Sequence, residues 1–512
     1  MAGKLIFKPY FIQSGKGPHL ADLVYAADEN ENVFHSDISV TPEGIVITNS
    51  EGVEKFSIHV RWNIEGFGYI YSIADNEGNF YSIPSSGIEQ INLVYELAKS
   101  AVAANDKRIN HFLSIGWIPD SEITALHDRS HEFLNKSKNN SDEEKKARLS
   151  QKSLSYAHWV ADYVELSRSK FEIKNNSSRK DFLYGCDARG FFQMDSELFL
   201  ERFSEVFNYA TITHYWKADF IDFEPEEGKK QFEVRKKVLT SLRKRNIKVE
   251  GRPLFWTHFW VTPDWLRNKN FDQLLKYVEQ HIKEVVGFYK DEIEVWEVVN
   301  ELHDWANELE LTPDQAVYLT KFACNIARSV NPKIKLLINN CRPFGDYVQM
   351  GKWHEKLAKY KQRTPHQFIK DLINAGVDFD IIGLQVYYAY YSAADAIKNI
   401  ERFKVFNKSV QLSEVGAPSA GIKLEFCDIV PEDLSGVPYD WHRYWDEELQ
   451  ADWLEYIFTY AYSQKFIEGA NWYDFIDPHS FLIKGGLLKS TDGEKKAAYY
   501  RLKKLQSDWK SN

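Results

Sequence analysis

From about residue 180 onward, eight short apolar runs alternate with longer amphipathic stretches. The runs at 181–187, 209–215, 248–256, 292–301, 333–340, 380–388, 409–414 and 469–475 are rich in β-branched and aromatic residues and too short for ordinary helices. They read as buried strands. The stretches between them, such as 232–245 and 316–330, carry apolar residues at helical spacing. Strand and helix in strict alternation is the sequence form of βα repetition. Residues 179–512 are therefore expected to form an α/β domain, a (β/α)8 TIM barrel. The loop after the seventh run, about 416–447, contains Trp441, Tyr444 and Trp445 and is expected to shape a binding cleft.

The segment before the barrel has a different texture. Residues 1–87 alternate apolar and polar positions in runs such as Gly44-Ile45-Val46-Ile47-Thr48 and Phe56-Ser57-Ile58-His59-Val60-Arg61-Trp62, divided by Gly-containing turns. Tyr69, Tyr71 and Tyr81 follow in the same manner. This predicts a β-rich, sandwich-like accessory domain, either a carbohydrate-binding module or a structural cap on the barrel. Residues 88–178 read as linking helices. One carries Leu93, Leu97, Ala101 and Ala104 on one face, and a charged one starts at Ser141-Asp142-Glu143-Glu144 and runs through Trp159 and Tyr163.

Composition narrows the function classes. The net charge of −10 argues against a nucleic-acid or anionic-membrane partner, and no run of about 20 apolar residues is present to span a membrane. Aromatic residues make up 15% of the chain, which suits a protein that stacks sugar rings, although most are expected in the core. Cys186, Cys324, Cys341 and Cys427 are scattered without Cys-x-x-Cys spacing, which argues against a zinc site or disulfide framework, and Cys186 and Cys341, near the ends of predicted strands, read as buried thiols. The N-terminus lacks the apolar core of a signal peptide, the pattern of an intracellular protein or of a secreted one whose signal has been removed.

Two of the predicted strands end in chemistry. Val295-Trp296-Glu297-Val298-Val299 runs directly into Asn300-Glu301, and Val410-Gln411-Leu412-Ser413 runs into Glu414. Parallel barrels carry their active residues at the C-terminal ends of strands. At roughly 30–40 residues per βα unit the two glutamates stand about three units apart, so they can face each other across the barrel mouth. Such a pair suits glycoside hydrolysis, with one carboxyl as acid and the other as nucleophile. That chemistry needs Glu301 protonated and Glu414 ionised at rest, so their environments must separate their pKa values.

Around these residues the chain resembles glycoside hydrolase family 10, the xylanase family of the large retaining clan of (β/α)8 enzymes. The resemblance covers about residues 180–507. It rests on Trp296-Glu297-Val298-Val299-Asn300-Glu301 together with Phe207-Asn208-Tyr209-Ala210-Thr211, Trp216-Lys217, Phe223-Glu224-Pro225-Glu226-Glu227-Gly228, Thr262-Pro263-Asp264-Trp265-Leu266, Gly383-Leu384-Gln385 and Asn471-Trp472-Tyr473-Asp474, all in order. It implies that Glu301 is the general acid/base, Glu414 the nucleophile and Asn300 the residue that binds the sugar 2-hydroxyl. Lys217, Trp256, Gln385 and Trp472 match residues around the sugar. The implied activity is retaining cleavage of β-1,4-xylan or xylo-oligosaccharides, with the carboxyls about 5–5.5 Å apart and no metal or organic cofactor. The expected partner is thus a polysaccharide or oligosaccharide substrate.

Departures from the family pattern bear on the sugar. Thr213-His214 replaces Glu-Asn in strand two, Arg252 replaces a histidine early in strand three, and Tyr387 replaces a histidine after Gln385. Trp256-Thr257-His258 stands in place of a Trp-His pair, with about two residues inserted before Thr262. Arg252, His258 and Tyr387 join the expected substrate-binding set. His214 and His258 either bind sugar or serve as structural hydrogen-bonders. Tyr387 either donates a hydrogen bond to Glu414 or packs within its tyrosine cluster. The alternatives kept open are a different β-glycan cleaved by the same glutamates, and a non-catalytic sugar-binding barrel. A phosphate-handling barrel would need a phosphate loop near Gly485-Gly486, which instead reads as a turn.

Overall fold

The computed structural model describes residues 3–10, 24–218, 221–353, 356–387, 391–420, 440–482 and 484–510. Cys427 and most of the long loop after the seventh barrel strand, at 421–439, lie outside the described residues.

Eight N-terminal strands form two four-stranded sheets. They are β1 (Lys4–Lys8), β2 (Val24–Asp28), β3 (Val33–Phe34), β4 (Asp37–Thr41), β5 (Gly44–Asn49), β6 (Phe56–Ile64), β7 (Gly68–Ala74) and β8 (Ile88–Asn92). One sheet has the order β4-β5-β1-β8 and the other β3-β2-β6-β7. Their buried side chains belong to a core continuous with that of the barrel. The β-rich region extends past residue 87 because β8 returns parallel to β1. With Ile88, Glu89 and Gln90 exposed, β8 lacks the alternation that marks its neighbours.

Three helices follow: α1 (Leu93–Ser114), α2 (Ser121–Lys138) and α3 (Glu143–Asn175). Each starts on a side-chain cap, Asn92, Asp120 and Asp142 respectively, which accepts a backbone N–H of the first turn. The charged stretch expected to open at Ser141 becomes α3 from Glu143, with Asp142 as its cap.

The barrel closes as predicted. Its strands are β9 (Leu183–Asp187), β10 (Tyr209–Thr213), β11 (Lys248–Arg252), β12 (Val295–Asn300), β13 (Lys335–Asn340), β16 (Ile381–Tyr387), β17 (Ser409–Gly416) and β18 (Ile467–Trp472). A small hairpin, β14 (Lys352–Trp353) and β15 (Lys356–Leu357), sits in one loop. All neighbouring barrel strands pair in parallel, in the closed order β10-β11-β12-β13-β16-β17-β18-β9. Crossover helices begin where the sequence places capping boxes, at Thr312 before Pro313 and at Thr364 before Pro365. No described helix is long and apolar enough to cross a membrane.

The three regions are bound together by buried polar contacts. Asp162 of α3 is fully buried and accepts from Trp441 Nε1 at 2.8 Å, His442 Nε2 at 3.0 Å and the backbone N–H of Ala394 at 2.9 Å. Trp441 also pairs with Gly68 of the N-terminal sheet. Trp441 and Trp445 are thus buried in this seam, and neither lines the cleft they were expected to shape. His59 of β6 meets the Tyr391 hydroxyl at 3.0 Å, and Gln349 brackets Ser36 with hydrogen bonds of 2.8 Å to its hydroxyl and carbonyl. Replacing Asp162 by Ala strands three buried donors, each costing on the order of 1–3 kcal/mol. Asp162→Ala should therefore lose at least about 3 kcal/mol in urea denaturation, and Asp162→Asn less, because one acceptor oxygen remains. Equal stability of wild type and Asp162→Ala would show that the seam does not depend on this carboxylate.

Candidate active site

The C-terminal ends of the barrel strands open into a cleft of about 1050 Å³, within the range of ligand sites up to its large end. Glu301 and Glu414 both line it. Strands β13 and β16 stand between the strands that carry them. Each glutamate follows a break in the ladder: β12 slips register against β13 between Glu297 and Val299, and β16 against β17 between Gly383 and Gln385, which pairs with Glu414. Such irregularities re-aim side chains at barrel rims.

Glu301 sits immediately after β12 with φ of 56°, the left-handed region that glycine favours. A glutamate held there is locally strained, and the strain is offset by surrounding contacts. Its N–H donates to the Asn339 carbonyl at 2.9 Å, and its carbonyl accepts from Ala306 N–H at 3.1 Å. The carboxyl is buried and accepts from Gln385 Nε2 at 2.9 Å and Trp256 Nε1 at 3.0 Å. Burial first, and the charge of Glu414 second, push its pKa up to about 7, against the opposing pull of those two donors. Asn300, one residue earlier, lines the cleft and meets Gln385 Nε2 at 3.4 Å.

Glu414 has the opposite surroundings. The Arg252 guanidinium and the Tyr387 phenol both donate to its carboxylate, and Asn339 Nδ2 adds a third bond at 3.2 Å. Asn339 is itself fixed by Ser413 Oγ, 2.6 Å from its Oδ1, and donates to Glu297 at 3.0 Å. Glu297 lies 3.4 Å from Arg252 Nε, and burial pushes its pKa well above the carboxylate range.

The structure brings most of the expected residues together. Lys217, Trp256, His258, Asn300, Gln385 and Tyr387 line the cleft with both glutamates. Two expected sugar contacts stand elsewhere. Arg252 is sealed behind Glu414, only 1% exposed, where it can reach the carboxylate but not a ligand. Trp472 is fully buried and its indole N–H is taken by the Gly485 carbonyl at 2.9 Å; the next residue, Tyr473, faces the cleft instead. His214 is a core histidine. Its Nδ1 meets the Ile212 carbonyl at 2.9 Å, and its ring packs on Phe223, Tyr289 and Trp296. The Gly485-Gly486 segment is a turn whose Gly486 N–H is taken by Asp477, at 2.9 Å.

Some residues in and beneath the cleft were not anticipated. Asn339 ends the apolar run Leu336-Leu337-Ile338 as Asn300 ends its own, so the same pattern marks it. Trp260, 40% exposed, extends an aromatic shelf from Trp256 through His258. Tyr71 reaches the cleft from the N-terminal sheet, its ring stacked on Tyr391, which stacks in turn on Phe344. No local pattern could reveal a residue delivered from a sheet so distant in sequence.

The raised pKa of Glu301 has a thermodynamic sign. A carboxyl whose folded pKa lies above its unfolded value of about 4.5 contributes stability that is present below that value and is lost as pH rises through about 7. Glu301→Gln should therefore gain stability over wild type as pH rises across this window, by up to about 3 kcal/mol above neutrality. Melting curves at acid and alkaline pH would show it, and an identical pH dependence in the two proteins would contradict the assignment.

Comparison with known proteins identifies the family. The model of Glycosyl hydrolase family 10 matches residues 186–505. Endo-1,4-beta-xylanase B of Thermotoga neapolitana is 27% identical over 237 residues, covering 44% of this chain and 64% of that protein. Endo-1,4-beta-xylanase A of Halalkalibacterium halodurans is 26% identical over 258 residues, covering 45% and 62%. The chain thus spans just under two thirds of the length of these relatives. Native xylanase 10B from Thermotoga maritima superposes with a TM-score of 0.49 at 20% identity, over 66% of this chain and 100% of that one. Because the family match runs from the first barrel strand nearly to the C-terminus, over more than half of its length, the chain belongs to glycosyl hydrolase family 10.

Proposed function

We propose that the chain is a retaining β-glycoside hydrolase whose preferred substrate is a β-1,4-xylan or xylo-oligosaccharide. Glu414 attacks the anomeric carbon while Glu301 gives its proton to the leaving oxygen, forming a covalent glycosyl-enzyme. Glu301, now a base, takes a proton from water, and the resulting attack releases Glu414 and a sugar of retained configuration. No step in this sequence calls for a metal or an organic cofactor.

The contrast between the two carboxyls carries this reading. Three donors converge on the Glu414 carboxylate, among them a guanidinium. Glu301 is buried beside that charge and keeps its proton to about pH 7. The two carboxyls thus differ in their surroundings, one holding a proton to near neutrality and one meeting a cation, as the roles of acid and nucleophile require. Asn300 lies beside Glu301, positioned for the 2-hydroxyl, whose hydrogen bond strengthens in the transition state. Trp256, His258 and Trp260 offer ring faces for sugar C–H groups, and Lys217 is an exposed donor at the same wall.

The relatives' names point to xylan. A second reading, another β-glycan cleaved by the same pair, is favoured by Thr213, by the Arg252 and Tyr387 substitutions around Glu414, and by Tyr71 in the cleft wall. In that arrangement the N-terminal region contributes directly to substrate selection, in addition to capping the barrel.

A panel of aryl β-glycosides and β-glycans, assayed beside Glu301→Gln and Glu414→Gln, tests the proposal. Hydrolysis of xylosides or xylan is expected, with a loss of roughly 10²–10⁴-fold in each variant. Hydrolysis of a different β-linked sugar, lost in both variants, would keep the mechanism and replace xylan. Undiminished activity in either variant would overturn the mechanism, and sugar binding without turnover in the wild type would favour a binding protein. Because the acid must be protonated, kcat/KM should fall as pH rises through about 7. A profile flat well above neutrality would remove Glu301 from that role.

A further inference from the structure

Outside the cleft, and outside residues 186–505 matched by the family, the α1–α2 hairpin carries a compact cluster of ligating groups. His127 and His131 are four residues apart on α2, so both rings leave the same face of the helix. Asp106 of α1 meets that face. Each imidazole Nε2 lies 2.9 Å from the same oxygen, Asp106 Oδ1. The two rings are 4.6 Å apart between centroids and inclined at 82°, so their Nε2 atoms converge from different directions. The ligand atoms of all three residues fall within 4.8 Å of one another.

The chemistry of the donors selects the ion. Two imidazoles and one carboxylate suit a borderline divalent cation better than calcium or magnesium, which prefer oxygen alone. Ligands at 2.0–2.2 Å from a tetrahedral zinc lie roughly 3.3 Å from each other. The 2.9 Å contacts would therefore need to open by only a few tenths of an ångström. His131 and Asp106 are 39% and 41% exposed, which leaves them room to turn and a solvent-facing side for water to complete the shell. His127, at 18% exposure, forms the inner wall. Its Nδ1 is buried with no hydrogen-bond partner, so no protein group on that side competes for the ring's orientation.

We propose that Asp106, His127 and His131 bind one divalent first-row transition ion, typified by Zn²⁺, that cross-links α1 to α2. The cross-link stabilises the helical region that joins the N-terminal sheets to the barrel, because an ion bound only by the folded hairpin favours folding by mass action. The scattered cysteines gave no hint of it, since the ligands are histidines on one helix and a carboxylate on the preceding one.

Tag-free full-length protein, stripped with a chelator, tests this by titration with Co²⁺ and Zn²⁺. Saturation at one equivalent of Co²⁺ with visible d–d absorption is expected, with displacement by Zn²⁺ and a rise in melting temperature when Zn²⁺ is added. Asp106→Asn and His131→Gln, both at partly exposed positions, should each weaken Zn²⁺ binding by at least about tenfold and abolish the rise, with unchanged circular dichroism showing that they fold. Absence of a saturable one-equivalent site would overturn the proposal. Wild-type affinity in both variants would also overturn it, by assigning the ion to other residues.

Discussion

A guanidinium sealed inside the barrel is the constraint on which the site depends. Burying the charge of Arg252 costs several kcal/mol unless a carboxylate and further hydrogen bonds compensate it. Glu414 supplies the compensation from β17, reached from β11 across the barrel interior. The pairing fixes more than charge. It holds the Glu414 carboxylate where the Tyr387 phenol and Asn339 amide complete its shell, and Asn339 is held in turn by Ser413 and Glu297. A carboxylate locked in one orientation has less rotational freedom to lose when a ligand arrives.

The same pairing leaves Glu301 with its proton. Glu414 takes up the nearby cation, while Glu301 has two neutral donors and an anionic neighbour, in a buried position. Its left-handed backbone and the slipped ladder beneath it are local irregularities that a stable barrel can tolerate. The rest of the molecule supplies that stability. Asp162 and the aromatic stack of Tyr71, Tyr391 and Phe344 join the β-rich region, the helices and the barrel into one core.

Much of this was legible in the chain. A βα alternation has a period that periodicity reveals, and an apolar run that stops in Asn-Glu or Ser-Glu marks a strand end at the active face. Contacts that close only in three dimensions were not legible. Arg252 reads as a ligand contact until barrel closure puts it behind Glu414. Trp472 and Tyr473 differ by one residue and therefore face opposite ways, and the slip of β17 against β18 between Leu412 and Val415 shifts the pairing from which their facing could be counted. Tyr71 comes from the N-terminal sheet, far from the barrel in sequence, and β8 hides its strand character because three of its residues are exposed.

The stereochemistry of the first product tests the central claim most directly. Proton NMR of a xylo-oligosaccharide digest, recorded before mutarotation, should show the β-anomer of the newly formed reducing end appearing first, as double displacement at Glu414 requires. Initial appearance of the α-anomer would mean single displacement by water, and would contradict the assignment of Glu414 as nucleophile.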